Sequence, residues 1–120
     1  MSTQRTAFIL ATIIALAWPA TGASAHAMLR HANPAAGSTV SPAPKAVQLT
    51  FSEELEPAFS TIEVRDAKGA GVNAGKASVA GTQMRVALKP LGPGTYKVIW
   101  HALSVDTHRT QGTFRFSVGK

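Results

Sequence analysis

Three stretches of this sequence carry side chains that could hold a metal ion. The triplet Asp106-Thr107-His108 sets a carboxylate and an imidazole two positions apart, and in an extended segment positions i and i+2 project to one side. It lies between the run 95–102 and Gly112, so it reads as a loop between two strands. Alone, the same triplet is also the pattern of a solvated acid beside a loop histidine. The second stretch is the N-terminus. Arg5 precedes residues 7–17, an apolar run of 11 residues, and Pro19 and Gly22 break any helix beyond it. Ala23-Ser24-Ala25 then offers small residues where a signal peptidase reads, the pattern of a secretory signal over 1–25. A membrane span would need about 20 apolar residues, so the run is too short to be an anchor. Cleavage after Ala25 makes His26 the first residue of a domain spanning 26–120. A free α-amino group then lies beside an imidazole, and the two nitrogens can close a small chelate ring. Such nitrogen and oxygen donors suit the tetragonal preference of Cu(II), which also stands highest in divalent affinity. The third stretch is Phe51-Ser52-Glu53-Glu54-Leu55, where Glu53 follows a strand end and could accept a hydrogen bond from a ligating group.

The remaining inventory narrows the chemistry. There is no cysteine, which removes both disulfides and thiolate metal sites. His31 lies an odd number of residues from His26, and His101 follows Trp100, so both are expected on faces turned from the core. Beyond the signal segment the methionines are Met28 and Met84; both fit core positions, and no methionine cluster exists for a Cu(I) thioether site. The net charge is +6 at pH 7, with Arg5 leaving on cleavage. The basic residues are scattered singly, so no run reads as a nucleic-acid patch. Solubility and weak attraction to anionic surfaces account for them.

The elements that must position these groups are strands. Val47/Leu49/Phe51, Ile62/Val64, Met84/Val86/Leu88, Tyr96/Val98/Trp100 and Phe114/Phe116/Val118 alternate with mostly polar residues, the period of strands with one buried face. A first strand is predicted over 27–31 and a weak one within 72–79. Residues 33–37, 41–44, 68–71 and 89–94 carry turn chemistry. One short helical turn is predicted around Glu53, Glu54 and Glu56, limited by Pro57. The aromatics fall mostly on core-facing positions. Short strands at this spacing point to an antiparallel sandwich of about 95 residues.

Taken in order, HAMLRHANPAAGS, LTFSEELEP and GTYKVIWHALSVDTHRTQGTFRFSV resemble the CopC family of periplasmic copper-binding proteins. The resemblance covers nearly all of 26–120 and is weakest over 66–83. It implies an all-β fold, a seven-stranded antiparallel Greek-key β-sandwich of Ig-like or cupredoxin-like character. It also implies a mononuclear Cu(II) site of His26, Asp106 and His108, with Glu53 as the acidic residue near it. Some members add a Cu(I) site in a methionine-rich loop, whereas 66–83 here has neither Met nor His. His101 stands where relatives commonly carry Arg, and His31 is extra.

The resulting expectation is a periplasmic, monomeric Cu(II) carrier or buffer, with a CopD-type inner-membrane protein as its possible partner. No nucleic-acid partner and no membrane insertion of the mature domain are expected. Two other readings start from the same residues. An N-terminal histidine chelating copper also occurs in lytic polysaccharide monooxygenases, so a copper-dependent oxidative enzyme is the second. Against it, Asp106 would join three nitrogens and fill the coordination square, and no aromatic platform for sugars is evident. The third is an Ig-like interaction module with an incidental metal site.

Overall fold

The computed structural model describes residues 27–120. The expected signal segment over 1–25 and the candidate ligand His26 therefore lie outside the described residues. Within them the chain is a sandwich of two four-stranded sheets. The strands are β1 Leu29–Asn33, β2 Thr39–Val40, β3 Ala46–Phe51, β4 Thr61–Arg65, β5 Ser78–Ala80, β6 Gln83–Ala87, β7 Gly94–Leu103 and β8 Arg109–Val118. One sheet has the order β1-β3-β6-β5 and the other β2-β8-β7-β4. The all-β sandwich class is as expected. Its count is eight strands among the described residues, because the two-residue β2 pairs parallel with the end of β8.

Alternation turns one face of each sheet inward. Val47, Leu49 and Phe51 of β3 and Met84 and Val86 of β6 meet Ile62 and Val64 of β4 and Tyr96, Val98, Trp100 and Ala102 of β7. The Phe51 and Trp100 rings pack edge to face with centroids 5.1 Å apart, an arrangement that the aromatic quadrupoles favour. The Tyr96 hydroxyl reaches the Gly92 carbonyl at 2.7 Å, so its polar tip stays bonded while its ring is buried.

Several local expectations are corrected. The first strand begins at Leu29, and a bulge between Leu29 and His31 shifts its register against β3. Counting odd and even positions from His26 to His31 therefore loses its meaning, although His31 is exposed as expected. The weak strand reduces to Ser78–Ala80, preceded by isolated bridges at Gly71 and Asn73. The helical turn expected around Glu53, Glu54 and Glu56 with Pro57 as its limit is a 3₁₀ turn that Pro57 starts instead, Pro57–Phe59. A proline lacks the N–H that a first turn leaves unused, so it favours starting a helical turn. Met28 is 61% exposed, against the core position expected for it, and Phe59 is the aromatic that stands out of the core, at 59%. Met84 is fully buried. No helix among the described residues is long and apolar enough to cross a membrane.

Candidate metal centre

The site is built where β7 hands over to β8. The inward parity of β7 runs Tyr96, Val98, Trp100, Ala102 and continues to Ser104, which is fully buried. A buried hydroxyl must find partners. Ser104 finds them in the loop it starts: its Oγ donates to Asp106 Oδ1 and accepts the His108 N–H at 3.2 Å. The Ser104 N–H donates to the His108 carbonyl at 3.0 Å, and the Thr107 N–H to the Ser104 carbonyl at 2.8 Å. Residues 104–108 thus close on themselves as a tight turn, with Thr107 at φ +74°. That left-handed conformation is unusual for a β-branched residue. Asp106 and His108 do come together, with Asp106 Oδ1 3.2 Å from His108 Nδ1. The cause is this turn and not the extended segment that the spacing suggested.

The electrostatics follow from these contacts. The Ser104 hydroxyl, and after it the His108 ring, hold the Asp106 carboxyl below the usual carboxylate value. Both side chains are partly open to solvent, at 47% for Asp106 and 41% for His108. When His108 Nδ1–H donates to the carboxylate, Nε2 carries the lone pair a metal needs.

Two neighbouring segments close on this loop. Leu55 bridges Ser104, the Val105 N–H donates to the Glu54 carbonyl at 3.0 Å, and the Glu56 N–H to the Leu103 carbonyl at 2.8 Å. Glu53 lies on that same stretch, half-buried, with no hydrogen bond or ion pair to its carboxylate among the described residues. From the other side, the Met28 N–H donates to Ser52 Oγ at 2.8 Å and the Ser52 N–H to the Met28 carbonyl at 2.9 Å. Thr110 Oγ1 donates to the Ala27 carbonyl at 2.8 Å. The chain leading out of 1–26 is therefore fastened beside both the FSEEL segment and the strand that follows His108.

Among the described residues, no three His, Asp or Glu side chains converge as a metal site. Asp106 and His108 are a pair. His101 is exposed on the outer face, opposite the buried Trp100 as expected. It borders a cleft of ≈ 530 Å³ along β4 with Ser60, Thr61, Glu63 and Lys76, which contains neither Asp106 nor His108. Glu63 there is committed to an ion pair with Arg65. His31 is exposed opposite Thr50 on β3 and joins no group of metal-ligating side chains among the described residues.

Ser104, Ser52 and Thr110 are the positioning residues that reading for metal donors passed over. Ser104 and Thr110 were detectable: each is a hydroxyl on the inward parity of its strand, where an apolar residue would otherwise stand. Ser104→Ala should remove the main hydrogen bond to Asp106 and raise its carboxyl toward the ordinary value. The lost hydrogen bonds should cost about 1 kcal/mol of stability in urea melts. Any metal affinity of the loop should fall ten- to a hundredfold, the usual effect of removing an orienting partner. Unchanged titration of Asp106 in the variant would show that Ser104 does not position it.

Comparison with known proteins places this geometry. Residues 29–119 match the CopC domain. The chain is 40% identical over 98 residues to Protein YobA of Escherichia coli (strain K12), covering 78% of this chain and 79% of that one. It is 36% identical over 115 residues to Copper resistance protein C of Xanthomonas campestris pv. juglandis, covering 88% of this chain and 90% of that one. The crystal structure of CopC from Methylosinus trichosporium OB3b superposes with a TM-score of 0.74 at 32% identity, over 78% of this chain and 94% of that one. With its two-sheet sandwich, its Asp106–His108 loop and a CopC match from 29 to 119, the chain belongs to the CopC family.

Proposed function

We propose that this protein is a periplasmic Cu(II) carrier or buffer, which binds one ion through the His26 amine and imidazole with Asp106 and His108. The observation that carries the reading is the fastening of Ala27 to Thr110 and of Met28 to Ser52. Consecutive Cα atoms are about 3.8 Å apart, so a residue joined to Ala27 starts one step from a carbonyl held by Thr110. Thr110 in turn is two residues from His108. The pair of donors in the loop needs further ligands, and an N-terminal histidine supplies two nitrogens from one residue. The absence of cysteine and the family's copper-resistance relative support copper as the cargo. Glu53 is the outer carboxylate of this site, on the segment bonded to the loop.

The proposed site is for Cu(II) alone. Within 26–120 the methionines are Met84, fully buried, and Met28, with no second thioether beside it in sequence. Four donors complete a square and leave binding, not oxidation, as the chemistry. We assign the domain a monomeric state, a cleaved signal over 1–25, and delivery to or from a CopD-type inner-membrane protein.

The test is Cu(II) titration of the processed domain 26–120 with electron paramagnetic resonance. One tight equivalent with a tetragonal, nitrogen-rich spectrum is expected. Weak or multiple binding would mean that the donors do not converge.

Affinity should also depend on pH in a defined direction. Nitrogen ligands bind as free bases, so acidification through the imidazole range makes protons compete with the metal. Asp106, held below the usual carboxylate value, stays ionised at lower pH than an ordinary acid and is not the group that fails first. Binding should therefore weaken steadily from pH 7 to pH 5 with proton release in calorimetry. A flat affinity across that range would contradict the nitrogen ligands.

A further inference from the structure

The basic residues are dispersed in sequence, but the fold gathers three of them. Arg65 of β4 pairs with Lys97 of β7, and Lys97 pairs with Arg115 of β8. They alternate with the inward residues Val64, Val98 and Phe116, so all three belong to the outer face. Neighbouring strands are about 4.8 Å apart, which sets three cations in a row of about 10 Å. Like charges directly opposite one another destabilise a sheet. The nearby acids relieve this only at the Arg65 end: Glu63 pairs with Arg65, and Asp66, whose Oδ1 accepts the N–H groups of Lys68 and Ala70, follows it in sequence. The side chains of Lys97 and Arg115 make no hydrogen bond or ion pair among the described residues. The row borders a shallow cleft of ≈ 380 Å³ that includes Thr95, whose hydroxyl meets that of Ser117 at 3.1 Å.

We propose that this face, Arg65–Lys97–Arg115, docks the domain on an anionic phospholipid surface through lipid phosphates. Guanidinium and ammonium groups with adjacent hydroxyls are phosphate donors. An extended anionic surface also matches the excess of positive charge spread over the rest of the chain, which a single acidic peptide would not engage. Lys97 and Leu103 are six residues apart on β7, so the row lies about 20 Å from the Asp106–His108 loop. Docking therefore leaves that loop open to solvent.

The experiment is sedimentation of the processed domain with phosphatidylglycerol vesicles at low ionic strength, against phosphatidylcholine vesicles. Binding to the first and not the second is expected. Lys97→Gln combined with Arg115→Gln should lower it about 25-fold, at roughly fivefold for each charge. Arg85→Gln combined with Lys89→Gln removes as much charge from exposed positions outside the row, and should lower it no more than about threefold. Cu(II) titration of both double variants should match the parent protein, which separates failure of docking from failure of the metal reading. Equal losses in the two variants would overturn the proposal in favour of net charge alone. So would binding to phosphatidylcholine, absence of binding to phosphatidylglycerol, displacement by millimolar inorganic phosphate, or equal row-dependent binding to polyglutamate.

Discussion

A domain that keeps one residue ahead of His26 should bind Cu(II) at least about a hundredfold more weakly than the processed form. A retained start methionine is enough. The added peptide bond converts the His26 amine to an amide, which removes one nitrogen donor and opens the chelate ring. Loss of an orienting partner alone costs ten- to a hundredfold in metal affinity, so loss of a donor should exceed that range. The imidazole, Asp106 and His108 all remain in the extended protein. The difference therefore isolates the amine, and copper resonance spectra should show one nitrogen fewer. Competition titration of the two forms against a common chelator measures the effect. Equal affinities would remove the amine from the ligand set and with it the proposed coordination square.

The second large effect concerns the frame of the site. Gly112 of β8 pairs with Trp100 of β7. A Cβ built on Gly112 would lie 2.7 Å from Cζ2 of the indole and 2.9 Å from Cε2. Those are ring atoms of a buried side chain packed edge to face against Phe51, not the end of a flexible side chain. Gly112→Ala should therefore cost about 1–3 kcal/mol by overpacking, lowering Tm by roughly 5–20 °C in a domain of this size. Trp100 is the sole tryptophan of 26–120, so its fluorescence reports the displaced ring directly. Trp100→Phe should partly rescue Gly112→Ala, and the double-mutant cycle should give a coupling of about 1 kcal/mol or more. Additive effects would mean that the ring and the glycine do not bear on each other.

The strands were legible because their signal is local. Val47, Leu49 and Phe51, or Tyr96, Val98 and Trp100, reveal a buried face through alternation alone, and each is buried in the structure. The Asp106–His108 pair was legible as a pair but not as a turn, since nothing in D-x-H announces that Thr107 adopts a positive φ or that Ser104 closes the loop. Met28 misled for the opposite reason. It looked apolar and strand-like, yet its backbone is bonded to Ser52 while its side chain faces solvent. The basic row shows the clearest limit. Arg65, Lys97 and Arg115 are far apart in sequence, and only the cross-strand register that pairs β4, β7 and β8 makes them neighbours.

The hydrogen bond from Thr110 to Ala27 joins residues 83 positions apart. Contacts of such separation must await closure of nearly the whole chain, and sandwiches dominated by them fold in milliseconds to seconds. Ala27 can meet Thr110 only after β8 is in place, so this fastening of the proposed copper-binding end is among the last contacts to form. On the proposed ligand set, a chain that is truncated, misregistered or still on its way to the native state would hold its N-terminal histidine away from Asp106 and His108. On that ligand set, capture of the metal would report that folding is complete, and earlier forms of the protein would bind copper less tightly.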